Sequence, residues 1–490
     1  MRRLLPLVVG PVFFFAAVAL PAPGGLAEPA WRVAGLAAWM ATWWLTAVIP
    51  LEGTALLPIP ALSLTGVASV GEVTPSYADP IIFLFLGGFL LAATLERWDL
   101  HKRFALGTVR QVGTDAPRVV LAFMLASAFA SMWISNTATT VMMLPIAAAV
   151  AAGAAATHQS ASPAASASPA AVKDARGAFA TALMLSVAYG ASIGGVSTLI
   201  GTPPNAIFAG AAGDLLGREI SFGSWLPIGL TVCIPMLVVC WWWLVRLFRV
   251  RGPVPGLAAA MAREQERLLP MAGGERFVLT VFGLTAAAWI LREPKALGAV
   301  RIPGLSDVLP GISDPAIAMV AALILFAVPL PRARFRTALD WATAQRIPWG
   351  ILLLFGGGLA LAGAFESSGL TEWIGGRLAG LRGVSVWLVL GVTAALFVGL
   401  TELTSNTATA ALGMPLMVGV ARGLGIDALP LMAAAALAAS MAFMLPVATP
   451  PNAIVFGSGV ITPGQMARAG MGLNVAAVIV ITLLVRLWMV

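Results

Sequence analysis

The sequence predicts an all-α integral membrane protein with about 11 transmembrane helices plus two re-entrant hairpins, laid out as inverted repeats with two broken helices. Three observations carry that prediction. The chain is 59% hydrophobic and only 10% charged, whereas a soluble globule carries about 25% charged residues. Apolar stretches long enough to cross about 30 Å of hydrocarbon recur along all 490 residues. A polar tetrapeptide and a proline-containing hexapeptide each occur twice in that apolar background.

Taken in order, crossings are expected near 4–20, 31–49, 53–70, 80–98, 179–213, 225–248, 276–291, 314–330, 348–366, 430–460 and 468–490. Two further apolar segments, 118–151 and 384–421, carry the tetrapeptide at their middle, and Pro145 or Pro415 follows. Polar residues and a helix breaker at mid-membrane suit a hairpin better than a simple span. No soluble domain is left over.

The net charge of +8 reads as a topology signal. With eleven crossings, one side collects Arg2, Arg3, Lys102, Arg103, Arg110, Arg118, Arg249, Arg251, Arg263, Arg267, Arg332, Arg334, Arg336 and Arg346. That side is expected to be cytoplasmic, with the N-terminus inside and the C-terminus outside a cytoplasmic (inner) membrane. The basic residues are too sparse to mark a nucleic-acid partner. Residues 1–27 have the outline of a signal peptide, but removing them would break the parity that puts the basic loops inside. Cys233 and Cys240 lie seven apart on one apolar helix, about 10 Å at a rise of about 1.5 Å per residue, too far for a disulfide within it.

Ser135-Asn136-Thr137-Ala138 returns 270 positions later as Ser405-Asn406-Thr407-Ala408. The same offset carries Gly87, Gly88 and Glu96 onto Gly357, Gly358 and Glu366, and Ser131 onto Thr401. Thr202-Pro203-Pro204-Asn205-Ala206-Ile207 returns as Thr449-Pro450-Pro451-Asn452-Ala453-Ile454 at an offset of 247. The 23-residue surplus of the first half falls in the Ser/Ala/Pro-rich run near 157–172, read as an inserted cytoplasmic loop. An odd number of crossings separates the repeats, so they are inverted, an arrangement that gives secondary transporters a central site reachable from either face.

Two consecutive prolines remove two N–H donors and restrict the residues before them, so both helices are expected to unwind at Pro-Pro-Asn. Backbone groups freed at membrane depth need ions, substrate or side chains to satisfy them, and helix N-termini at the hairpin tips favour an anion. Ser, Thr and Asn oxygens suit a hard cation such as Na⁺, while hydroxyl and amide donors suit an oxyanion. No Lys, Arg or His lies among these residues. A lone Ser-Asn-Thr is commonly interhelical hydrogen-bonding glue; two copies, each paired with a Pro-Pro-Asn break, favour a ligand site. For Glu402 a structural hydrogen bond is the favoured reading over ion coordination. Glu96 and Glu366 are expected at the interface, and the glycine runs at 87–88 and 356–358 in close helix packing.

These motifs resemble the divalent anion/sodium symporter family, carriers of dicarboxylates, citrate and sulfate, over nearly the whole chain. The resemblance implies an elevator-type homodimer with scaffold segments 1–98 and 253–366 and transport segments 99–252 and 367–490. It implies at least two Na⁺ ions, one at Ser131, Ser135, Asn136 and the Gly201 backbone, the other at Thr401, Thr404, Asn406 and the Ala448 backbone. The anion would lie between Ser135, Asn136, Thr137 and Ser405, Asn406, Thr407, closed in by Thr202, Pro203, Thr449 and Pro450. The 157–172 insertion departs from the family pattern outside these positions.

The expected function is Na⁺-coupled symport of a C4-dicarboxylate such as succinate, with no organic cofactor. Citrate or sulfate as substrate, or Na⁺-independent exchange, are the alternatives. An exchanger would replace cation ligands by fixed charges, which are missing from both motifs. An intramembrane enzyme would need a nucleophile with its base or a metal cluster, and the only histidines, His101 and His158, fall in predicted loops. A channel would need a continuous polar pore rather than one central polar level.

Overall fold

The computed structural model describes residues 5–104, 107, 115–156, 169–254, 266, 270–297, 300–330 and 334–489. Most of the Ser/Ala/Pro-rich insertion (157–168), His158, and the basic residues Arg2, Arg3, Arg110, Arg263, Arg267 and Arg332 lie outside the described residues. The regular secondary structure among the described residues is helical apart from isolated bridges and one antiparallel ribbon, Lys295–Leu297 against Val300–Ile302.

Six described helices are long and apolar enough to cross a membrane: Val70–Arg97, Gly177–Gly195, Phe222–Leu247, Trp349–Ser367, Asn406–Leu424 and Pro463–Met489. Seven more are apolar but shorter. The crossing expected at 53–70 is not one continuous helix. It is two short pieces, Leu51–Thr54 and Pro58–Leu64; Pro58, which opens the second piece, has no N–H to continue the ladder from the first.

The two tetrapeptide segments each fold as helix, break, helix. Ala116–Ser131 and Asn136–Ala156 flank the first break; Val386–Thr401 and Asn406–Leu424 flank the second. Pro145 and Pro415 do not make these breaks. They ride inside the second helix of each pair, as prolines in membrane helices do when neighbours satisfy the freed carbonyl.

The Pro-Pro-Asn helices are interrupted as expected, but upstream of the prolines. Pro169–Gly195 gives way to an irregular stretch and restarts as Pro203–Leu216; Ala428–Ala439 restarts as Pro450–Phe456. The proline pairs open the second half-helices at their first positions, where a missing N–H costs no bond and a φ near −65° is already helical. Thr202 (φ −145°, ψ 141°) and Thr449 (φ −140°, ψ 151°) are the extended residues before each restart.

These broken helices form the centre of the bundle. Every residue from Leu431 to Ala439 is fully buried, as are Ala182, Leu183, Leu185, Val187 and Ala188 in the other copy. The last helix instead turns Met471, Val475, Ile479, Leu483 and Leu487 outward, a stripe at four-residue spacing that water would not tolerate and lipid would. The glycine runs pack closely, as expected: a Cβ at Gly357 would run into the Ala55 backbone, and one at Gly358 would stand 2.8 Å from the Ala411 methyl.

Candidate functional site

At the first break, the hydroxyl of buried Ser131 donates to Asn136 Oδ1 at 2.5 Å. Ser135 Oγ accepts from the Ala138 N–H at 3.2 Å, capping the helix that begins there. At the second break, the Thr401 hydroxyl lies 2.7 Å from Asn406 Oδ1 and 2.6 Å from the Ala439 carbonyl. The 270-residue repeat is thus a repeat of contacts: a buried hydroxyl on the incoming helix orients the Asn that opens the outgoing one.

The broken helices repeat contacts too. Asn205 Nδ2 donates to the carbonyls of Gly195 (3.4 Å), Val196 (3.1 Å) and Thr198 (2.8 Å). Asn452 Nδ2 donates to those of Ala442 (3.2 Å) and Leu445 (3.0 Å), which lie 247 positions beyond Gly195 and Thr198. The Asn of each Pro-Pro-Asn therefore reaches back and satisfies carbonyls freed by its own break, groups that would otherwise be costly to bury. Both side chains are fully buried, and each Oδ1 has no hydrogen-bond partner among the described residues.

Gly195 brings hairpin and broken helix together. A Cβ there would stand 2.5 Å from Asn136 Oδ1 and 3.2 Å from the Gly201 carbonyl, and one on Gly201 would stand 2.9 Å from the Ser131 carbonyl. Ser131, Asn136 and Gly201, three of the four residues expected around one cation, converge here. In the second repeat the Thr401 hydroxyl holds Asn406 in the same way, and Asn406 and Ala448 line the same cavity. The Thr404 hydroxyl bonds to the Leu400 carbonyl at 2.9 Å and to the Thr409 hydroxyl.

Glu402 supplies what the first repeat lacks. Its Oε1 accepts from the N–H groups of Phe443 (2.7 Å) and Met444 (2.8 Å) and from Asn474 Nδ2 (2.7 Å), and its Oε2 from the Leu445 N–H (3.0 Å). The carboxylate staples the unwound strand of the second broken helix to the second hairpin tip, in accord with its structural reading. At the matching position, Met132 offers only its carbonyl, to the Thr198 hydroxyl at 2.5 Å.

All ten residues expected to hold the anion line one cavity of about 470 Å³, together with Gly201, Thr404 and Ala448. Ser131 and Thr401 lie behind its wall, fully buried. The cavity is also lined by Trp44, Leu45 and Glu52, and by Phe85, Phe89 and Leu354 on the two helices that carry the repeated glycine runs. No Lys, Arg or His side chain among the described residues lines it; its polar groups are hydroxyls, side-chain amides, helix N-termini and the Glu52 carboxyl group. No cluster of three His, Cys, Asp or Glu suited to a metal ion occurs among the described residues.

A second cavity of about 590 Å³ shares Phe89, Ser135, Thr137 and Ile351 with the first and extends to Glu96, Arg97, Thr343 and Arg346. Arg97 is charge-paired there: it pairs with Asp340 at 2.6 Å, donates to the Thr343 hydroxyl at 2.9 Å and sits over the Phe335 ring. The Thr343 hydroxyl, followed by Arg97, holds the Asp340 carboxyl below the usual carboxylate range. Glu366, the repeat mate of Glu96, pairs with Arg422 at 2.7 Å.

Two helix-break-helix units and two interrupted helices that enclose a polar cavity inside an apolar bundle define a membrane carrier built from two repeats. Over residues 1–490 the sequence matches the family described as "Sodium:sulfate symporter transmembrane region", and the chain belongs to that family. It is similar to the sodium-dependent dicarboxylate transporter SdcS of Staphylococcus aureus, strains MW2 and COL, at 38% identity over 487 residues, covering 99% of this chain and 90% of each relative. Its fold is similar to that of the YdaH transporter of Alcanivorax borkumensis, with a TM-score of 0.55 over 86% of each chain at 15% identity. The chain is a multi-pass membrane transporter and not an enzyme.

Proposed function

We propose that this protein is a symporter that couples Na⁺ to the uptake of a C4-dicarboxylate such as succinate. The observation that carries the reading is the 470 Å³ cavity with duplicated Ser-Asn-Thr donors, no cationic side chain among the described residues that line it and an oxygen-rich nest behind each hairpin tip. Relatives at 38% identity that bear the name sodium-dependent dicarboxylate transporter support the choice of ion and anion.

In this reading the anion sits between residues 135–137 and 405–407, under Thr202, Pro203, Thr449 and Pro450. One Na⁺ lies near Ser131, Ser135, Asn136 and the Gly201 backbone, another near Thr401, Thr404, Asn406 and the Ala448 backbone. An anion alone in a low-dielectric cavity is costly, and so is a cation alone; together each lowers the cost of the other, which is the physical basis of coupling. Segments 99–252 and 367–490 move as the transport body against a scaffold of 1–98 and 253–366, in a homodimer of the inner membrane with its N-terminus inside.

The test is uptake of labelled succinate into proteoliposomes with an inward Na⁺ gradient, against K⁺ and against preloaded succinate, with Asn136→Ala and Asn406→Ala in parallel. Na⁺-dependent uptake lost in both variants supports the reading. Uptake that ignores Na⁺ and requires internal succinate makes the protein an exchanger, and transport of citrate or sulfate alone reassigns the substrate.

A further inference from the structure

The second cavity carries a feature that the central site lacks: a guanidinium with no counter-ion among the described residues. Arg346 is exposed in its wall and forms no ion pair or side-chain hydrogen bond among them. Its backbone, by contrast, is held firmly. The preceding helical turn Trp341–Ala344 is capped by Asp340, whose carboxylate accepts from the Thr343 N–H at 2.9 Å. The Arg346 N–H donates to the Thr343 carbonyl at 3.1 Å, and Ile347 is buried next to it. Trp349 Nε1 donates to the Ala344 carbonyl at 3.2 Å, closing the turn from the other side. The neighbouring Arg97 is neutralised by Asp340, so Arg346 is the cationic side chain of this wall with its donors free among the described residues.

We propose that Arg346 forms a vestibular anion subsite, which takes one carboxylate of the dicarboxylate on its way between the cytoplasm and the central site. This rests on the transport reading above. A guanidinium presents a planar fork matched to a carboxylate, and the shared residues Phe89, Ser135, Thr137 and Ile351 make the two cavities neighbours across one thin wall. Glu96 lines the same cavity with no ion pair among the described residues, which confines the anion to the Arg346 end. The subsite belongs to one side of the protein only, the side that gathers the basic loops. The position 270 residues before Arg346 is Ser76, which carries no charge, and beside Glu366, the repeat mate of Glu96, Arg422 is already paired with Glu366 and Glu372.

The experiment compares Arg346→Gln and Arg346→Lys with the wild type for Na⁺-dependent succinate transport. Transport is measured from the outside in intact cells and from the cytoplasmic side in inside-out vesicles, at low and high ionic strength set with potassium gluconate. One charge at this range corresponds to about a threefold to tenfold rise in KM. The expected result is that rise in Arg346→Gln from the cytoplasmic side, exceeding any change from outside, with a flattened ionic-strength dependence that Arg346→Lys largely restores. Equal shifts on both faces, a shift confined to the outer face, or no shift in a variant that purifies as well as the wild type would overturn the subsite and leave the transport reading standing. A wild-type protein that moves no dicarboxylate under any Na⁺ gradient would overturn both.

Discussion

Replacing Gly195 by alanine tests the geometry of the proposed first cation site more sharply than removing a proposed ligand. Gly195 ends a helix without positive φ, so alanine is conformationally allowed and in an ordinary helix would stabilise it by up to about 1 kcal/mol. Here the added methyl would stand 2.5 Å from Asn136 Oδ1 and 3.2 Å from the Gly201 carbonyl. The first distance is too short for carbon against oxygen, so the Asn136 amide must shift, with Gly201 close by on the other side. Overpacking of this kind costs about 1–3 kcal/mol, which corresponds to about a fivefold to 150-fold loss of affinity if it falls on the ion-bound state. The assay is the Na⁺ activation curve of succinate uptake, with size-exclusion and thermal-melt controls for folding. The expected result is a rightward shift of the half-saturating Na⁺ concentration with a folded protein. The second repeat already carries a methyl at the equivalent Ala442, so Ala442→Gly should move the curve far less. A Gly195→Ala protein with Na⁺ activation within about twofold of wild type would refute the placement of a cation beside Asn136.

Two further outcomes are expected from buried hydrogen bonds. Glu402→Gln replaces acceptors by an amide that cannot serve the Phe443, Met444, Leu445 and Asn474 donors together, so a loss of about 2–5 kcal/mol in stability is expected; detergent melting curves read it, and Met132→Leu in the first repeat should show little. Asn452→Ala strips the donor from the Ala442 and Leu445 carbonyls. It should cost about 1–3 kcal/mol and reduce maximal uptake; unchanged melting and uptake would show that the brace is dispensable.

Much of the site was legible because its parts are local in sequence and occur twice. Ser131 and Asn136 are five residues apart, Thr401 and Asn406 likewise, and one offset maps the first pair onto the second. The proline pairs were legible as breaks, but their side of the break was not. Proline disrupts a helix on its N-terminal side and suits the first turn of a helix on its C-terminal side, so the irregular stretches fall at 196–202 and 440–449. Glu402 could be marked as notable, yet its partners lie 41 to 43 and 72 residues away, a distance no local pattern encodes. The same holds for the wall of Trp44, Phe85 and Phe89, whose residue types suit lipid contact equally well. Gly195 was hidden for the opposite reason: its role is the absence of a side chain, and nothing in the sequence sets it apart from Gly194.

The placement of Pro203-Pro204 and Pro450-Pro451 at the start of the half-helices has an entropic consequence. The turns that face the cavity have their φ angles set by covalent rings, and the Asn one or two residues on ties the strand before them back to its own carbonyls. Such a wall loses little freedom when a ligand arrives, so less of the ligand's binding free energy goes into ordering the protein. The same stiffness means that the wall is poorly suited to fold over its cargo. In the proposed elevator reading, that stiffness lets the moving segments carry the pocket along unchanged.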